Sequence, residues 1–62
     1  MNWIEKEPVE GDTVKIEFAE WTKLGTQIGV FERKSIDGFL IIEFGRVKRY
    51  LDRHSTFFVL TK

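Results

Sequence analysis

Several short groups of residues bear side chains that can do chemistry, and each would need a particular geometry to do it. Asp52-Arg53-His54-Ser55 contains the residue types of a hydrolase triad. Nucleophilic catalysis requires hydroxyl, imidazole and carboxylate in one line of hydrogen bonds, whereas neighbours within a tight turn point in different directions. The group reads as a capped turn with an exposed histidine. Gly25-Thr26-Gln27-Ile28-Gly29 has glycines enough for a phosphate cradle. The residues after it are not helical in pattern and lack a Gly-Lys-Thr/Ser ending, so no helix N-terminus would face the phosphate. Glu17, Glu20 and Glu43 are carboxylates at spacings that do not hold any two as an acid/base pair. One histidine and no cysteine fall short of the three or four nitrogen or sulfur ligands of a transition-metal site. The expectation is a chain without catalytic residues, bound metal or cofactor.

Two features remain that can bind. Nine of the 62 residues are aromatic, more than one small domain readily hides. With Phe18 and Phe44 turned inward, Trp21, Phe31, Phe39, Tyr50 and Phe58 are left for outer or rim positions, where large rings mark protein-contact surfaces. The second feature is Arg46-Val47-Lys48-Arg49-Tyr50-Leu51-Asp52-Arg53-His54. On a strand, Arg46, Lys48 and Tyr50 share one face, and Val47, Arg49 and Leu51 share the other. Arg46, Lys48, Arg49 and Arg53 are therefore the candidate contacts to a nucleic-acid backbone, with Tyr50 available to stack on a base.

Charge decides between these only in part. Ten acidic and ten basic residues cancel, which argues against a polyanion binder held by net charge. The signs are nevertheless segregated along the chain. Residues 1–31 carry six acids and three bases, and residues 32–62 carry four acids and seven bases.

These side chains must be positioned by short strands. Met1–Glu10 is a polar lead-in containing the one proline, Pro8, with Trp3 and Ile4 as its packing groups. Gly11-Asp12 is a turn pair, and Thr13–Phe18 then alternates apolar and polar residues with period two. Ala19–Thr26 breaks the alternation and is read as a long loop. Gln27–Lys34 resumes as a strand in which Gly29 predicts a bulge or bend. Asp37-Gly38 predicts a hairpin turn before a central strand at Phe39–Phe44. Gly45-Arg46 predicts the next turn, Val47–Leu51 a fourth strand, and Thr56–Leu60 a fifth. Asp52 can cap a single 3₁₀ turn before that last strand. The expected core is Val14, Ile16, Phe18, Ile28, Val30, Leu40, Ile42, Phe44, Val47, Leu51 and Val59.

Five short strands, one long loop, two tight hairpins and a one-turn break predict an all-β, five-stranded SH3-like barrel over residues 11–62. Closing the sheet protects its edges in a chain too small to cover them with helices. An open five-stranded sheet or an OB-like barrel is the competing architecture. The first half, on Val9-Glu10-Gly11-Asp12-Thr13-Val14-Lys15-Ile16 with Gly25 and Gly29-Val30, resembles a KOW-type segment of ribosomal and transcription-elongation proteins. That resemblance implies an SH3-like barrel and a nucleic-acid or ribonucleoprotein partner. Phe18-Ala19-Glu20-Trp21 departs from the family's loop, which is short, glycine-rich and often basic.

The functional expectation is a non-enzymatic adaptor docking onto another protein through the long loop and neighbouring aromatics, with KOW-like nucleic-acid binding as the alternative. A small barrel that oligomerises to build an active site between subunits is a third class. Neither Phe39–Ile42 nor Phe57–Leu60 is long enough to span a membrane, and the first seven residues hold no signal-peptide core. The absence of cysteine fits a reducing compartment, so a cytoplasmic location is expected.

Overall fold

The computed structural model describes residues 2–61; Met1 and Lys62, the outer bounds of the expected lead-in and barrel segments, lie outside the described residues. Six strands run in chain order as β1 (Asn2–Glu5), β2 (Thr13–Glu17), β3 (Thr26–Lys34), β4 (Leu40–Phe44), β5 (Val47–Leu51) and β6 (Phe58–Thr61). A 3₁₀ turn at Glu20–Thr22 is the sole helical segment among the described residues, so no helix there is long and apolar enough to cross a membrane. All pairings are antiparallel, in the sheet order β1-β6-β2-β3-β4-β5. Strands β2 to β5 form a meander, and β6 returns to lie beside β2.

The all-β expectation holds, but three features of the five-stranded barrel are corrected. A sixth strand comes from the lead-in, where Trp3 pairs with Leu60 and Ile4 with Val59. No pairing among the described residues joins β5 to β1 or β6, so the sheet is open, with β1 and β5 as its free edges. The 3₁₀ turn lies in the loop after β2 and not before the last strand. At Asp52–Ser55 the cap does form, since Asp52 Oδ1 accepts from the His54 amide at 2.8 Å, but the segment closes as a turn.

The hairpins follow their glycines. Gly38 has φ 91, and the turn before it is tied by the Phe39 amide donating to Ser35 Oγ at 3.0 Å. Gly45, with φ 63, opens the two-residue turn between Phe44 and Val47. At the start of β2, the Gly11 amide donates to the Phe31 carbonyl and the Phe31 amide to the Asp12 carbonyl, both at 2.9 Å, so the β2–β3 ladder reaches back beyond Thr13.

One face of the sheet holds the core: Val14, Ile16, Phe31, Leu40, Ile42, Phe57 and Val59 are buried, with Phe18, Phe44 and Leu51 packed partly against them. Ile28, Val30 and Val47, expected inside, are exposed. On β3 the parity is inverted: Gly29 and Phe31 face inward, because β3 approaches β4 so closely at residue 29 that only a glycine fits. Phe31 is therefore a core residue and not the expected rim aromatic. The bulge expected at Gly29 lies instead between Phe31 and Arg33, where the β3–β4 register shifts. Val47 lies beside the open edge, where no strand covers it. Ile41, on the opposite face from Leu40 and Ile42, is buried in a row between Arg33 and Tyr50.

Candidate protein-docking seam

Trp21 is 84% exposed, yet the loop that carries it is tightly braced. The Thr22 amide and hydroxyl both donate to the Ala19 carbonyl, at 3.0 and 2.6 Å, and the Lys23 amide donates to the Glu20 carbonyl at 3.0 Å. The Leu24 amide donates to Thr22 Oγ1 at 3.2 Å, and the Phe18 amide closes the neck of the loop on the Gly25 carbonyl at 2.9 Å. Lys23 takes the left-handed conformation, φ 59, that ends the turn.

The neck of this loop meets the open edge of the sheet. Phe18 and Phe44 pack edge to face, with ring centroids 6.0 Å apart and planes at 62°. From β5, the Arg49 guanidinium carbon lies 5.8 Å from the Phe18 ring centroid. Arg49 Nε is buried and has no hydrogen-bond partner among the described residues. Val47, two residues away on the same face of β5, is 52% exposed. Phe18, Phe44, Val47 and Arg49 thus line a seam where β5 has no neighbour, with Trp21 three residues beyond Phe18. The seam offers apolar surface beside a cation that lacks an acceptor. Sequence alternation places Arg49 with Val47 and Leu51; it gives no sign that Phe18 comes beneath the guanidinium.

The remaining aromatics do not join this surface. Tyr50 is 63% exposed on the other face of β5, and Phe39 lies in the turn before β4. Phe58 is half-buried on the outer face of β6, separated from β5 in the sheet by β2, β3 and β4. There Lys15 Nζ sits 4.8 Å from the Trp3 ring centroid and 5.5 Å from that of Phe58.

The four cations of the basic run are dispersed as well. Lys48 Nζ donates to Glu32 Oε1 at 2.9 Å. Its pKa is held above the ordinary lysine value, first by that hydrogen bond and then by the Glu32 charge, with Glu43 adding to it. Arg49 is on the core-side face, Arg46 is in the hairpin turn, and Arg53 lines an open groove with Glu5, Glu7 and His54. In the would-be triad, the Asp52 carboxylate is engaged by the His54 backbone amide. No group of three or more His, Cys, Asp or Glu among the described residues is placed to hold a metal ion. No family model, curated protein or solved structure matches the chain.

Proposed function

We propose that this chain is a non-enzymatic SH3-like binding module that docks onto another protein through the loop carrying Trp21. The meander β2-β3-β4-β5 with β6 returning onto β2 supports the SH3-like reading, as a partly open barrel to which β1 adds a strand. The observation that carries the functional reading is the exposed indole of Trp21 on a loop braced by its own hydrogen bonds. A large ring on a braced backbone has little main-chain freedom to lose on binding, and tryptophan is among the residues that dominate protein interfaces. Dispersal of the cations, with Lys48 already paired to Glu32, favours a protein partner over a nucleic-acid backbone.

The test is affinity capture with and without nuclease, across a range of salt, for the natural sequence and two variants. Trp21→Ala should weaken capture by about 2 kcal/mol or more while the thermal melt is unchanged, and capture should vary little with salt. Capture that is lost on nuclease treatment, falls steeply with salt, ignores Trp21→Ala and disappears on reversing Lys48 and Arg49 to glutamate would replace this reading with nucleic-acid binding.

A further inference from the structure

We propose that the free edge of β5 takes up an extended acidic segment of the partner protein as an added strand, with one of its carboxylates on Arg49. The inference rests on the protein-docking reading and specifies the partner's chemistry.

The backbone of β5 is prepared for it. Phe44 and Val47 flank a two-residue turn, and the β4–β5 register runs unbroken from that pair to Leu40 and Leu51. In such a hairpin the flanking pair exchanges both hydrogen bonds, and bonded and non-bonded pairs alternate from there. Val47, Arg49 and Leu51 are therefore satisfied by β4, while the N–H and C=O groups of Lys48 and Tyr50 point to the open side. No backbone bond from a turn or loop among the described residues reaches them, and both residues are exposed. Outward residues two positions apart are the repeat that strand addition uses.

Charge selects the occupant. Residues 46–51 hold three cations and no acid. Lys48 is paired with Glu32, whereas Arg46 and Arg49 form no ion pair among the described residues. A second copy laid edge to edge on β5 would set like charges opposite one another, which disfavours self-pairing. An acidic strand meets the opposite sign. Its core-side residues would follow those of β5, an apolar one beside Val47 and an acidic one beside Arg49. That acid pairs with the Arg49 guanidinium, which forms no ion pair among the described residues, and guanidinium and carboxylate join through two parallel hydrogen bonds.

The experiment is an amide-resolved NMR titration of the intact chain. The probe is a capped octapeptide in which Val and Glu alternate at every second position with Thr between them. Controls are the same peptide with Lys for Glu, and versions N-methylated at the odd or the even positions. The acidic peptide should give saturable shifts at the Lys48 and Tyr50 amides. The lysine peptide should give none, one N-methylated series should bind at least tenfold more weakly, and Arg49→Gln should cost at least tenfold. Absence of saturable shifts at those two amides, equal binding of the lysine peptide, or two N-methylated series that bind like the parent would each overturn the proposal. If Arg49→Gln does not fold, the peptide comparisons on the natural chain decide alone; if it folds and binds undiminished, the role of Arg49 is refuted. Trp21→Ala, titrated with the same peptide, should keep the β5 shifts. Failure of the edge thus reads separately from failure of the Trp21 docking reading.

Discussion

A Cβ added to Gly29 would lie 2.5 Å from the Glu43 carbonyl oxygen, 2.8 Å from Cδ1 of Phe44 and 3.0 Å from Cγ2 of Ile42. The first of these is backbone, so relief requires β3 to move off β4. Gly29→Ala should therefore destabilise the fold by about 1–3 kcal/mol, as overpacking does. The check is the denaturant midpoint; an unchanged midpoint would mean that the strands separate at no cost. This residue also explains why the sequence misleads about β3. Ile28-Gly29-Val30-Phe31 offers two parities: Ile28 with Val30, or Gly29 with Phe31. Apolar character favours the first, and a close approach between strands imposes the second. A glycine announces a bend by its type, but which neighbour presses on it is settled only when β4 is in place.

At the scale of elements, strands whose signals are local are legible in the sequence and those that depend on a partner are not. β2 follows from the alternation Val14, Ile16, and the β3–β4 and β4–β5 hairpins follow from Gly38 and Gly45. β1 has only four residues, neither alternation nor a turn signal, and becomes a strand by pairing with β6. On the outer face, this added strand is tied down through Lys15 of β2, whose ammonium lies between the Trp3 and Phe58 rings. A double-mutant cycle of Trp3→Leu and Lys15→Met should return a coupling of about 0.5–1 kcal/mol, the range of a cation over a partly solvated ring. Additive losses would show that β1 is held by its ladder and by Leu60 alone. The seam at the open edge has the same dependence: Trp21 in a bulky loop is visible in the sequence, whereas the seam exists because Phe18, from the neck of that loop, meets Arg49 at an edge that stays open.

For the whole molecule, a chain of 62 residues buries only about 60% of the surface its unfolded form exposes, and a core of that size supplies stability on the order of 3–5 kcal/mol. The seven residues of the buried cluster must then account for most of the fold, and a single deletion there should be decisive. Ile42 is fully buried between Phe31 on β3 and Arg49 on β5, whereas Ile28 is 57% exposed on the outer face opposite Lys15. The same chemical change, isoleucine to alanine, therefore removes well-packed atoms at one site and mainly solvated ones at the other. Ile42→Ala should cost about 2–5 kcal/mol and leave much of the population unfolded at 37 °C. Ile28→Ala should cost about 1 kcal/mol or less, mostly as lost strand preference. Thermal melts of the two variants, followed by circular dichroism, measure the difference directly. Comparable losses at both positions would put Ile28 in the core and return β3 to the parity that its apolar residues suggest, undoing the assignment of Gly29 and Phe31 to the inside.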